Sequence, residues 1–411
     1  MRTRSLPLRR PAPLRPPPPR VRPLAARLAA LAALPLALTL VACAGAPAPA
    51  TAAGGPRAPA ADASARAPVE LAPVVVSPYS DAELAYEFER GRAFLAADRP
   101  REALEIFDRL VRLAPNGEVA PPSLLNGAIA REALGDRAAA AAGYRQVLAR
   151  FPDHPVARAA LFRLARAAAH LERWPELVEV SERALARADL TVLETVEARG
   201  ARALGLVEQD RVDDAAREVG QARDLIEQHR LGESGKPPIE MAQVSFALGE
   251  VRRRRSEAIT FSPLPPDFAV ALEQRCQGLL DAQGAYTEAM RSLDAHWSAM
   301  AGYRIGKLYQ QLHRDVTQIP PPASAVTLKK KQLFEGAMRL RYRVLLEKGK
   351  KMIDGTVQLG ERTGEGSAWI ARAREAQREI DQALADERAA LARLPFTEAE
   401  LSAALEALKK P

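Results

Sequence analysis

Cysteine is almost absent: Cys43 and Cys276 are the two thiols in 411 residues. Two cannot build a disulfide framework or a multi-cysteine metal site. Aromatic residues are only 5% of the chain, and β-branched residues are few beside Ala, Leu, Arg and Glu, which argues against an all-β protein. The histidines (His154, His170, His229, His296 and His313) are scattered and form no His-Glu-x-x-His pattern. No Gly-x-Ser-x-Gly elbow is present, and Gly306-Lys307 lacks the hydroxyl that would complete a phosphate loop. Asp153-His154, between prolines, reads as a solvated turn, and Cys276 as an inert helix thiol. These absences predict a protein that is not an enzyme and holds no cofactor and no metal. Acid is missing from residues 1–42, which carry eight arginines. Without them the 59 basic residues fall to 51, against 51 acidic ones. The formal charge of +8 therefore belongs to the leader, and the rest lacks the basic excess of a nucleic-acid binder.

An apolar run of 15 residues, Leu28 to Ala42, follows the arginines. It is short for a membrane span and has the length of a signal-peptide core. It ends Leu40-Val41-Ala42-Cys43, which resembles the lipobox of bacterial lipoproteins. That resemblance implies cleavage before Cys43 and acylation of its thiol with palmitate-like chains. Ala44, rather than Asp, implies the outer membrane, facing the periplasm. Residues 44–68 hold 12 Ala, 5 Pro and 3 Gly, the composition of a disordered tether. The expected organisation is a signal peptide over 1–42, then an acylated cysteine and tether over 43–78.

Beyond Pro78 apolar residues recur at three and four spacing, the period of helices. Gly91, Phe94, Ala103, Phe107 and Pro115 are followed 37 residues later by Ala128, Arg131, Ala140, Tyr144 and Pro152. These residues resemble the tetratricopeptide (TPR) motif: a small residue within helix A, Ala where helices A and B cross, an aromatic four residues on, and Pro after helix B. The fold implied is an all-α, TPR-like solenoid of stacked helical hairpins. The family period is about 34 residues, so a longer turn is expected. Weaker units run over Val156–Ala188, with Leu177 and Ser181 in the motif places, and over Leu193–His229, with Ala215 and Val219. TPR-like repeats are thus expected over 79–231. After a Gly/Pro-rich break, an irregular region over 238–411 should have long helices at about 239–260, 267–292, 294–318, 325–362, 367–393 and 397–409.

In TPR proteins the A helices line a groove that holds a peptide or a partner helix. The resemblance places Arg92, Asn126 and Arg163 on that lining, with Phe88, Leu125 and Ile129 giving apolar contact. Phe88 and Ala159 stand where a carboxylate clamp would have Lys. A second surface is basic. Residues 325–352 carry Lys329, Lys330, Lys331, Arg339, Arg341, Arg343, Lys348, Lys350 and Lys351 against Glu335 and Glu347, a patch for lipid phosphate, cell-wall polymer or an acidic partner. Arg252 to Arg255 cannot all share one helix face, so some should be paired or solvated. The aromatic segment His296 to Tyr309 reads as core.

These features together predict a scaffold lipoprotein that positions envelope proteins at the outer membrane through its groove. The chain is loosely similar to the TPR lipoproteins of gliding-motility, pilus-assembly and secretion machines. The alternative is an adaptor for a cell-wall hydrolase or protease, or a direct cell-wall polymer binder.

Overall fold

The computed structural model describes residues 79–233, 235 and 237–408; Cys43, the signal segment and the tether lie outside them. The described residues form fourteen α-helices, one 3-10 turn (Ile239–Met241) and no strand. Four hairpins come first: α1(Asp81–Ala96) with α2(Pro100–Leu113), α3(Ala120–Ala133) with α4(Arg137–Arg150), α5(Val156–His170) with α6(Trp174–Leu185), and α7(Val192–Glu208) with α8(Val212–Gln228). The described residues form an all-α, TPR-like solenoid.

One turn geometry recurs in all four. Asp98, Gly135, Glu172 and Asp210 each have positive φ at the end of helix A. The next residue's N–H reaches back to the carbonyl five positions earlier: Arg99 to Phe94, Asp136 to Arg131, Arg173 to Ala168 and Arg211 to Leu206, at 2.9–3.0 Å. This closure satisfies carbonyls that the helix end would otherwise leave open. Ser80 and Thr191 open α1 and α7 as capping boxes with Glu83 and Glu194. The intra-hairpin turns are short, so the extra length of the 37-residue period sits between hairpins, at 114–119 and 151–155. At the crossings Ala103, Ala140, Leu177 and Ala215 are fully buried, as the repeat register requires.

The remaining helices are α9(Ala242–Glu257), α10(Phe268–Met290), α11(Ala295–Thr317), α12(Leu328–Thr363), α13(Ala368–Ala392) and α14(Glu398–Leu408). They fall within a few residues of the spans expected from periodicity. The core does not break at 232–238: one cluster of buried apolar residues runs from Leu124 to Ile370. Helix α9 packs on α7, where a Cβ added to Gly200 would lie 2.8 Å from Val244 Cγ2. The close pairing of α11 with α12 also depends on a missing Cβ, since one at Gly306 would lie 2.5 Å from the Ile353 side chain. The segment from Trp297 to Tyr309 is core, with Trp297, Met300, Ile305 and Tyr309 buried. No described helix is long and apolar enough to cross a membrane.

Contacts distant in sequence hold the curl of the solenoid. The His170 ring, at the end of α5, stacks on His296 at the start of α11, with centroids 4.2 Å apart. Two residues on, Glu172 accepts both ends of the Arg372 guanidinium from α13, at 2.6 and 2.9 Å. Burial, aided by His296 and Arg137, pushes the His170 imidazole down to about 4 from its usual 6.5. The unfolded chain therefore takes up a proton between pH 6.5 and about 4 that the folded chain does not. Stability is unaffected above that window and falls as pH drops through it. His313, also lowered by burial, adds to the slope. The melting temperature should decline from pH 7 to 5.5, and less steeply in His170→Gln; identical slopes would show that His170 is not buried neutral in this contact.

Candidate functional site: a cationic cleft between α9 and α11

The groove residues expected from the repeat do not converge. Gly91, Ala128 and Ala165 mark the small position of successive A helices, each 37 residues apart. Arg92 follows its small residue by one, whereas Asn126 and Arg163 precede theirs by two. They are three residues out of register, so the true counterparts of Arg92 are Ile129 and Arg166. Asn126 Nδ2 donates to the Pro122 carbonyl of its own helix at 2.8 Å. Arg163 is taken up internally by Glu132, 3.1 Å away, which also accepts from the Tyr144 hydroxyl at 2.6 Å. Phe88 packs on Phe107 with centroids 5.8 Å apart, Leu125 is buried and Ile129 half-buried, so all three serve packing. Arg92 is exposed and pairs within its helix with Glu89 at 3.0 Å. Further along, α7 is buried on nearly every face, so the A-helix wall does not continue there as an open groove.

The basic run also divides. Arg339 pairs with buried Glu387 of α13 at 2.7 Å, Lys350 with Asp381 at 2.7 Å, and Arg343 with Glu347 at 3.3 Å. These three belong to the packing of α12 against α13 and to its own surface. Lys329, Lys330, Lys331 and Lys351 are exposed without a described ion pair. The four consecutive arginines of α9 are all engaged: Arg252 with the Asp281 carbonyl, Arg253 with Glu250 and Glu257, Arg254 with Asp210, and Arg255 with Asp213.

The arrangement with binding chemistry lies where α9, the loop at 259–262, α10 and α11 meet. They enclose a half-open cavity of about 510 Å³. Five cations line it: Arg253, Arg275, Arg304, Lys307 and Arg314, against the acids Glu257 and Asp315. Its floor is a buried network. Glu250, wholly buried, accepts from Tyr286 at 2.8 Å and from Arg253 at 2.6 Å, and lies 2.7 Å from Arg304 Nε. Arg304 also donates to Glu208 at 2.9 Å. Burial alone would raise the Glu250 carboxyl, but Arg304 and Arg253 outweigh it and hold the group below the ordinary range. Burial and the Glu250 charge push Glu208 the other way.

Two of the counter-charges, Glu250 and Glu208, lie outside the lining, while Glu257 and Asp315 pair with Arg253 and Arg275 within it and Lys307 pairs with Glu379 of α13 at 2.8 Å. Arg275 is 1% exposed. It donates to Ser256 at 2.9 Å and Asp315 at 3.0 Å, and its Nε–H has no hydrogen-bond partner. Arg314 is exposed and donates to Gln311 at 2.6 Å; it makes no described ion pair. Phe261 and Tyr303 supply apolar surface. Such a cavity can take a carboxylate with its attached chain. Its cations come from three helices, Arg253 from the arginine run of α9, Arg275 from α10 and three from α11, so no single run announces it. The one local sign is the proline cluster at Pro263, Pro265 and Pro266, which holds the loop away from helix. His154 sits in a turn, its Nδ1 accepting from Val156 N at 3.2 Å, and no group of three or more metal-ligating side chains occurs among the described residues.

Residues 123–154 match the tetratricopeptide repeat family. The match covers α3 from Ser123 on, α4 and the turn that follows. No curated protein matches the chain. Among solved structures, a tetratricopeptide repeat protein from Parabacteroides merdae is similar at 11% identity, over 73% of this chain and 99% of that one, with a TM-score of 0.42. The C-terminal part of a TPR protein from Cytophaga hutchinsonii is similar at 9% identity, over 74% and 99%, with a TM-score of 0.36. The TPR2AB domain of yeast Sti1, solved in complex with pHSP90, is similar at 13% identity, over 75% and 100%, with a TM-score of 0.27.

Proposed function

We propose that the protein is a non-enzymatic scaffold of the outer membrane, anchored by acyl chains on Cys43, that holds an acidic segment of another envelope protein in the cleft between α9 and α11. The cleft carries the partner's chemistry: cationic walls, apolar Phe261 and Tyr303, and a buried Arg275 with an unused donor. The lipobox-like residues before Cys43 support the anchor. The 34 residues from Ala44 to Ser77 support reach, since a flexible chain of that length spans about 35 Å and a Pro-stiffened one up to about 105 Å. Tether, repeat hairpins and long helices together favour service in a trans-envelope assembly of the gliding-motility, pilus-assembly or secretion kind.

Lys307→Gln/Arg314→Glu should weaken capture of the co-purifying envelope partner at least tenfold. A charge-assisted contact contributes about 1.5–3 kcal/mol, and about 1.4 kcal/mol is a factor of ten. Arg92→Glu, remote from the cleft, should leave capture unchanged. Full capture by the folded double variant would move the binding site elsewhere. The anchor is tested separately: Cys43→Ser should leave an uncleaved precursor and remove the protein from the outer-membrane fraction. Equal labelling of that variant by an alkyne fatty acid would reject acylation at Cys43.

A further inference from the structure

The connection between α11 and α12 exposes two large aliphatic side chains. Val326 is 78% and Leu328 72% exposed, while Ala325 beside them is buried. Next in the chain come Lys329, Lys330 and Lys331, all exposed and none within ion-pair distance of a described carboxylate. The first turn of α12 contains no acid, and Thr327 caps it, its hydroxyl accepting from the Lys330 N–H at 3.2 Å. The described acids at this end include Glu335, further along α12, and Glu400 of α14, whose carboxyl is lowered by its Thr397 hydrogen bonds and further by the Lys329 charge. The Glu400 carboxylate is engaged by the Thr397 N–H at 2.7 Å and its hydroxyl at 2.9 Å. Here two water-exposed aliphatics stand beside three exposed ammonium groups, none of which makes a described ion pair. They suit a boundary where apolar groups enter an acyl layer and cations meet phosphates.

We infer that Val326, Leu328 and the Lys329–Lys331 triad form a contact with an anionic lipid surface, distinct from the acyl anchor and from the cleft. A soluble acidic polymer would satisfy the lysines but leave Val326 and Leu328 in water; the lipid surface uses both. The contact would hold the α11–α12 end of the solenoid against the bilayer, so that the fold is oriented and not merely tethered.

The test uses the chain from residue 43 on, as signal cleavage would leave it, carrying Cys43→Ser, so that neither acyl chains nor the arginine-rich leader contribute, and sedimentation with vesicles. The chain should bind vesicles containing phosphatidylglycerol and not vesicles of phosphatidylcholine alone. Lys329→Gln/Lys330→Gln/Lys331→Gln should weaken binding about a hundredfold, each lysine near an anionic surface contributing roughly a factor of five. Val326→Ser/Leu328→Ser should weaken it at least about tenfold through lost apolar burial. All five side chains are exposed, so circular dichroism should show an unchanged fold. Unchanged binding by the lysine variant would overturn the inference. Loss in the lysine variant with full binding by Val326→Ser/Leu328→Ser would also overturn it, and would assign the triad to a polyanion instead.

Discussion

Glu250→Leu is expected to destabilise the folded chain by about 3 kcal/mol, the lower part of the range for removing one member of a buried ion cluster. The carboxylate is wholly buried on α9 and joins three elements: Arg253 on its own helix, Tyr286 of α10 and Arg304 of α11. Leucine fills the space but leaves the Tyr286 hydroxyl without an acceptor and deprives both guanidinium groups of a carboxylate in the interior. Glu257 and Glu208 still reach Arg253 and Arg304, which is why the lower figure is expected. Tyr286→Phe should cost less, about 1 kcal/mol, because Glu250 keeps its two arginines. Urea unfolding would show the effect as a lower midpoint at unchanged slope. A midpoint equal to wild type would mean that the network does not hold α9, α10 and α11 together. Arg253 and Arg304 are also the inner wall of the cleft, so the residue that stabilises the fold is the one that sets the geometry of the cations above it.

The hairpins were legible because their signals are local. A small residue facing the partner helix, an Ala at the crossing, an aromatic one turn later and a Pro after helix B recur at a fixed step, and each has a steric reason. The long helices were legible from their punctuation, since the prolines at 263–266 and 320–322 and the Gly364 turn stop them. The positive-φ residue closing each helix A was hidden, because Asp98, Glu172 and Asp210 adopt a geometry that only Gly135 advertises. Contacts across the curl were beyond local reading altogether. Nothing near His170 points to His296, and nothing near Glu172 points to Arg372, 200 residues away.

The binding surfaces were read less well, for two physical reasons. The groove was anchored on polar residues spaced by the repeat, but the small residues fix the rotation of a helix, and against Gly91, Ala128 and Ala165 the chosen side chains lie three positions out of step. The basic run was counted as a sum. A helix turns each residue by about 100°, so Arg339, Arg343 and Lys350 reach carboxylates of α12 itself, α13 and α14, while Lys329–Lys331 make no described ion pair. A run of like charge reports a patch only after the neighbouring helices have claimed their share. The cleft shows the reverse, since five cations far apart in sequence line one cavity because α9, α10 and α11 bring them together.

Ala103→Glu should cost several kcal/mol at its own hairpin and little elsewhere. Ala103 is fully buried where α2 crosses α1, close to Gly91, whose missing Cβ lets Phe107 approach. A glutamate there would bury an unpaired charge and displace the aromatic ring. Its surroundings are a small apolar cluster, Leu84, Ile106, Phe107, Leu110 and Ala114, separate from the main core. In a solenoid the stability of each hairpin is its own plus that of its neighbouring interface, so the first hairpin can open while the rest remains folded. Hydrogen exchange should show protection lost over residues 81–113 and kept beyond α4. Ala140→Glu is the informative contrast. Ala140 is as deeply buried, but within the main cluster that extends to Ile370, so its charge should lower the melting temperature of the whole unit. Ala142→Glu, two residues on and exposed, should change stability by no more than about 0.5 kcal/mol. If Ala103→Glu lowered the global melt as much as Ala140→Glu, the first hairpin would be part of the common core. If neither substitution changed protection or melting, the crossing register of the repeat would be wrong.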